Sequence, residues 1–99
     1  MITRIVKLSF EPNQIEAFLG IFAQHALSMQ EVAGCVSLQL LRDEAEPHLF
    51  FTISVWRDIH YLELYRHSEL FKNTWFKVKL MFRDRPQAWT TQMIYDGKN

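Results

Sequence analysis

One histidine, His67, lies where it could act as a general base. Imidazole titrates near neutral pH, so His67 could accept a proton from a bound molecule. On an unbroken helix, however, His67 would be solvated on a polar face that also carries His60, Glu63 and Arg66. Only a bend at the next residue, Ser68, would turn it inward. The sequence therefore leaves open a catalytic His67 and a solvent-exposed His67, and we carry His67 forward as the catalytic candidate.

The same segment contains the ligand types of a metal site. His60, Glu63 and His67 are spaced i, i+3 and i+7, which invites comparison with a two-histidine, one-carboxylate iron site. Seven residues of helix span ~10.5 Å, which is too far for both histidines to bind one ion comfortably. We therefore expect no metal site in this segment.

Four further side chains are candidates for binding a planar substrate. Tyr65 and Trp75 could stack on an aromatic ring, with the tyrosine hydroxyl as a polar handle, and Trp56 could do the same from the end of a strand. His25 lies at the edge of the apolar stripe of the first predicted helix, where it could enter a pocket. The alternative for all four is ordinary packing in the core. Cys35 has no identifiable activating partner, and we expect an inert thiol.

Length, composition and charge limit the classes to which the chain can belong. Ninety-nine residues suit one domain over 1–99, and eleven basic against eleven acidic residues argue against a nucleic-acid partner. Cys35 is the single cysteine, so nothing points to an oxidising compartment. No stretch approaches the ~18 apolar residues of a membrane span. We expect a cytoplasmic protein without a membrane partner.

The hydrophobic periodicity predicts the element order β-α-β-β-α-β. Alternation marks the strands and a 3.6-residue repeat marks the helices. Asp58 can cap the second helix, Ser68 can restart or bend it, and Pro86 ends it. This order predicts an α+β, ferredoxin-like fold in which both helices cover one face of a four-stranded antiparallel sheet. The predicted strands are 2–10, 35–42, 48–56 and 87–95, and the predicted helices run from 11 to Gly34 and from 58 to 84.

The other face of the predicted sheet has no helix to cover it. Its residues are half apolar, which favours packing against a second copy of the chain, so we predict a homodimer through this open face. Phe76 and Leu80 form a second apolar patch on the second helix. From the alternation, the open face receives Thr3, Ile5, Lys7, Ser9, Ser37, Gln39, Leu41, Phe50, Thr52, Ser54, Trp56, Thr90, Gln92 and Ile94.

Two segments carry a resemblance to a known family. Residues 51–58 (FTISVWRD) and 65–71 (YRHSELF), with the Gly34-Cys35 junction before a strand, resemble the antibiotic biosynthesis monooxygenase domain family, and the resemblance covers about residues 2 to 95. It implies a dimeric α/β barrel with a pocket between helices and sheet in each subunit. It also implies oxidation of polyphenols, anthrones or quinols with molecular oxygen, or haem degradation, without a metal or flavin cofactor.

The haem-degrading branch of the family is a poor match. That branch uses an asparagine on the first strand and a tryptophan and a histidine on the second long helix. The corresponding positions here fall near Val6, Tyr65 and Trp75, and none matches. The resemblance therefore does not extend to haem degradation.

Two functions remain open. The first is a cofactor-independent monooxygenase that oxidises a small aromatic quinol or polyphenol. The alternative is a non-catalytic dimer of the same fold that binds a small molecule or serves in a stress response. A pocket with an inward-pointing histidine or tyrosine would favour the enzyme, whereas a filled core or a wholly apolar pocket would favour the alternative.

Overall fold

Four alternating segments pair into one antiparallel sheet, and three helices pack on one of its faces. The computed structural model describes residues 1–97. It confirms the predicted ferredoxin-like α+β fold, with the strand order β2-β3-β1-β4. The strands are β1 (Ile2–Ser9), β2 (Cys35–Arg42), β3 (Leu49–Trp56) and β4 (Gln87–Gln92), and the helices are α1 (Ile15–Met29), α2 (Ile59–Arg66) and α3 (Glu69–Val78).

The predicted bend at Ser68 is a complete break between two helices. Asp58 caps the start of α2, where its carboxylate accepts hydrogen bonds from the backbone N–H groups of His60 (2.8 Å) and Tyr61 (3.3 Å). Ser68 caps α3: its Oγ accepts from the Phe71 N–H at 3.2 Å and donates to the Tyr65 carbonyl at 2.6 Å. A single side chain thus ends one helix and begins the next.

The register corrects the predicted assignment of strand faces. Arg4 of β1 is opposite Ser54 of β3 and Thr90 of β4, so all three lie on the helix-covered face, as do Phe50 and Trp56. The predicted inner and outer faces of β3 and β4 were therefore wrong. Both strands carry polar residues on the covered face, and the alternation placed these residues in solvent. The uncovered face carries Thr3, Ile5, Lys7, Ser9, Ser37, Gln39, Leu41, Leu49, Phe51, Ile53, Val55, Gln87, Trp89 and Thr91.

The buried side chains form two clusters beneath the helices. One joins Phe10 and Phe18 to Phe50, with the Phe10 and Phe18 rings stacked at 4.0 Å. The other joins Trp56, which is 0% exposed, to Leu62. No helix in the part of the chain that the structure describes is long and apolar enough to cross a membrane.

Gly34 shapes the connection between α1 and β2. The helix ends at Met29, earlier than predicted, and Gly34 takes a φ of +80°, a region that favours glycine. A Cβ on Gly34 would collide with the Tyr61 side chain, while the Gly34 carbonyl accepts from the Arg57 N–H at 2.9 Å. This turn therefore fixes β2 against the start of α2.

We expect Gly34→Ala to lower the free energy of unfolding by at least about 2 kcal/mol, through the positive φ and the collision with Tyr61. Gly20→Ala is the matched control, because a Cβ there meets nothing within 4 Å, and it should stabilise α1 by about 0.5–1 kcal/mol. Urea unfolding of both variants measures the difference. Equal stability of Gly34→Ala and wild type would contradict this account of the turn.

Candidate functional site

A cavity of about 420 Å³ lies between the three helices and the covered face of the sheet. Its volume falls within the ~300–1,000 Å³ of small-molecule sites. Most of its wall is apolar, including Phe22 of α1 and Val6 of β1. A few polar side chains point into it, and these determine its chemistry.

His25 is the polar centre of the cavity. Its Nε2 lies 2.7 Å from the Tyr65 hydroxyl of α2, and its Nδ1 lies 3.0 Å from the Thr74 hydroxyl of α3. The ring of a neutral histidine has one N–H donor and one acceptor nitrogen, so one hydroxyl accepts from His25 and the other donates to it. One α1 side chain thereby links all three helices, and His25, Tyr65 and Thr74 all line the cavity.

Burial keeps this hydrogen-bonded group uncharged. Desolvation lowers the pKa of His25 below its ordinary value of 6.5, so the neutral imidazole predominates at neutral pH. Desolvation, and to a smaller extent the Cys35 thiol, raises the pKa of Tyr65, so the phenol stays protonated. A neutral imidazole beside a protonated hydroxyl can accept a proton from a substrate, directly or through that hydroxyl.

Aromatic side chains form the wall beside His25. The Phe71 and Trp75 rings are nearly parallel at 6.2 Å, and the Tyr65 ring meets Phe71 edge-on at 5.3 Å. Trp56 stacks behind Tyr65 at 5.1 Å. Flat side chains with fixed orientations suit a planar ligand.

The structure brings together three of the five residues predicted from the sequence. His25, Tyr65 and Trp75 line the cavity. Trp56 is fully buried behind Tyr65 and does not line the cavity. The His67 side chain is 78% exposed, lies outside the cavity and has its Nε2 3.9 Å from a Glu63 carboxylate oxygen. The break at Ser68 occurs as expected but does not turn His67 inward.

Two arginines and Thr74 are the site residues that the sequence analysis missed. Arg4 interrupts an otherwise apolar face of β1 between Ile2 and Val6, and this interruption was the available signal. Arg66 looked like part of a solvated helix face, yet it lines the cavity. Thr74 has no distinguishing sequence pattern.

The described residues, 1–97, contain no cluster of three or more histidine, cysteine or acidic side chains arranged to hold a metal ion. Cys35 is half-buried, its Sγ lies 3.8 Å from the Ser37 carbonyl, and burial raises the pKa of its thiol. The cavity described above therefore gains neither a metal ligand set nor a reactive thiol from these residues.

The comparison with protein families gives one match: the model for antibiotic biosynthesis monooxygenase matches residues 1–75. No curated protein matches this chain.

Solved structures share the fold at low sequence identity. One, described as an antibiotic biosynthesis monooxygenase, has a TM-score of 0.89 at 18% identity, covering 96% of this chain and 100% of the other. A conserved protein from Methanosarcina mazei Go1 has a TM-score of 0.87 at 15% identity, covering 93% and 92% of the two chains. Rv0793 from Mycobacterium tuberculosis has a TM-score of 0.88 at 14% identity, covering 98% of each. These similarities establish the fold alone.

The depressed pKa of His25 predicts a loss of stability in acid. Below the ordinary histidine pKa of 6.5, the unfolded chain binds a proton that folded His25 does not, so the free energy of unfolding falls as pH is lowered. The contribution is complete above that value. In His25→Gln this part of the pH dependence is absent, so the stability difference between wild type and variant should shrink between about pH 7.5 and about pH 5.5. Urea unfolding at both pH values measures it; a difference that grows in acid would contradict a neutral, buried His25.

Proposed function

The chain belongs to the antibiotic biosynthesis monooxygenase family, and from this premise we propose that it is a cofactor-independent monooxygenase acting on a small aromatic quinol or polyphenol. The observation that carries the proposal is the neutral His25, hydrogen-bonded to Tyr65 inside a cavity with an aromatic wall. This group combines a proton acceptor with a surface for a planar ring.

The first step that the geometry supports is removal of a proton from a substrate hydroxyl. Both ring nitrogens of His25 already contact hydroxyl groups, so the proton would reach the imidazole through Tyr65 or Thr74, or after one of them is displaced. His25 would then be a cation beside the substrate anion, and the surrounding low dielectric strengthens their attraction. This stabilises the anion that reacts next.

Reaction of this anion with dioxygen completes a balanced oxidation. A quinol anion transfers electrons to dioxygen and forms a carbon–oxygen bond to it. Cleavage of the oxygen–oxygen bond leaves one atom on the ring, and the other departs as water with two substrate protons. The product is a hydroxylated quinone, and the substrate supplies all the electrons.

The roles of the aromatic residues follow from their positions. Trp75 would bind the ring face, Tyr65 would contact the reacting hydroxyl, and Trp56 would hold Tyr65 in place from behind. We propose His25 as the base in place of His67, since His67 lies outside the cavity. The inward-pointing histidine and tyrosine also favour an enzyme over the alternative of a non-catalytic binding protein.

The uncovered face of the sheet supports a homodimer. Ile5, Ile53 and Trp89 form a continuous apolar row across three strands, and Phe51 and Leu41 lie in the next row. Trp89 is 45% and Leu41 47% exposed. Burying such an apolar area against its own copy removes it from water, so we propose that two chains pack sheet to sheet.

Activity is tested by oxygen consumption with hydroquinones, anthrones and naphthols. We expect His25→Gln to lower kcat by roughly 10²-fold or more, the usual size of a general-base contribution, and Tyr65→Phe to lower it less. The exposed His60 provides the matched control, His60→Gln, which should retain full activity. Circular dichroism checks that each variant is folded.

His67→Gln distinguishes the two candidate bases. Activity lost in His67→Gln and retained in His25→Gln would show the base to be His67 and refute the assignment made here. Binding of these compounds without turnover in the wild type would instead favour the non-catalytic alternative.

The dimer is tested by light scattering coupled to size-exclusion chromatography. Ile53→Lys places a charge in the centre of the uncovered face and should convert a dimer to a monomer. Phe76 lies on α3, away from the sheet, and is 64% exposed. Phe76→Lys is therefore the control and should leave the dimer intact. A dimer broken by Phe76→Lys but not by Ile53→Lys would place the interface on the helices.

A further inference from the structure

Two arginines line the cavity, one from the sheet and one from the helices. Arg4 comes from the central strand β1 and Arg66 from the last turn of α2, and both line the cavity. None of the described residues that line it is acidic. In a chain whose formal net charge is zero, the cavity therefore concentrates positive charge.

Arg4 has capacity left for a ligand. Its Nη1 donates to the Thr90 hydroxyl at 2.7 Å, which uses one of several N–H donors on the guanidinium. Thr90 is neutral, so this bond does not balance the arginine charge. The covered side of β1 thus presents a cation to the cavity, in line with the inward-facing Ser54 on the neighbouring strand.

Arg66 is only partly balanced by the protein. Its Nη1 donates to a Glu63 carboxylate oxygen at 3.1 Å, and both side chains are about two-fifths exposed, so water screens this pair. Burial, followed by the nearby charge of Arg66, lowers the pKa of Arg4, while Glu63 raises it. The two cations therefore repel each other, and an anion bound between them would relieve that repulsion.

We infer that the cavity takes an aromatic substrate carrying a carboxylate, with the carboxylate bound by Arg4 and Arg66 and the ring placed against Trp75. The inference rests on the proposed function and narrows its substrate class from neutral quinols to aromatic acids. A guanidinium can donate two parallel hydrogen bonds to a carboxylate, so this contact also fixes the ring's orientation. The hydroxyl to be deprotonated would then be held towards Tyr65 and His25.

The test compares two ligands of nearly the same shape, of which one carries a negative charge. 1-Hydroxy-2-naphthoic acid carries the carboxylate, and its amide, 1-hydroxy-2-naphthamide, has nearly the same shape without the charge. Isothermal titration calorimetry under nitrogen measures binding without turnover. We expect wild type to bind the acid at least about tenfold more tightly than the amide, and this preference to decrease with added salt.

Arginine variants assign the preference to particular side chains. Arg4→Met and Arg66→Met keep much of the length and remove the charge, so each should reduce the acid preference severalfold while amide binding is retained. Retained amide binding also shows that the variant is folded. Arg57→Met is the control at an exposed arginine that does not line the cavity, and its preference should equal that of wild type.

Each remaining outcome overturns the inference. It is wrong if wild type binds acid and amide equally, if neither ligand binds, or if Arg4→Met and Arg66→Met both keep the full preference. Because binding is measured without oxygen, a protein that prefers the acid but consumes no oxygen would refute the oxygenase proposal alone. Oxygen consumption with neutral quinols and no acid preference would refute this inference alone.

Discussion

The hydrogen bonds of His25 are the constraint on which the site depends. His25 is half-buried between the helices, and both of its ring nitrogens are hydrogen-bonded to hydroxyl groups from two different helices. Loss of either partner would remove one hydrogen bond from a half-buried ring, which costs about 0.5–1.5 kcal/mol. The packing of α1, α2 and α3 around the cavity also removes water from His25, which lowers its pKa and favours the uncharged imidazole.

The sheet forms the floor of the cavity, and its covered face carries an unusual number of polar residues. A covered face is normally apolar, but here Arg4, Thr52 and Ser54 lie beneath the helices. These polar groups are tolerated because they border a cavity rather than close-packed side chains. The buried clusters on either side, around Phe10 and around Trp56, keep the walls rigid enough for a void to persist between them.

The fold was predictable because most local signals agree with one another. The alternation in β1, the cap at Asp58 and the break at Ser68 all occur as predicted. The faces of β3 were not predictable from alternation alone. It has apolar residues on both sides, and the polar ones, Thr52 and Ser54, lie towards the cavity.

The site was harder to predict than the fold. His25, Tyr65 and Trp75 were recognisable by residue type, but only the packing of three helices shows that they meet. The direction of the His67 side chain is set by the backbone conformation at the end of α2, where His67 is the C-cap residue. A break at Ser68 changes the path of the chain after His67, and the His67 side chain, which precedes it, stays in solvent.

The break at Ser68 also lets two short helices contribute different side chains to the cavity. On one continuous helix, positions 65 and 75 would lie ~15 Å apart along the axis and ~80° apart around it. With α2 and α3 separate, Tyr65 and Trp75 face the same cavity. The Tyr65 hydroxyl of α2 stays beside His25, while Phe71 and Trp75 of α3 set the space available beside it. Substitutions in α3 could therefore change the size of the molecule that relatives of this chain accept, while Tyr65 on α2 and its contact with His25 stay the same.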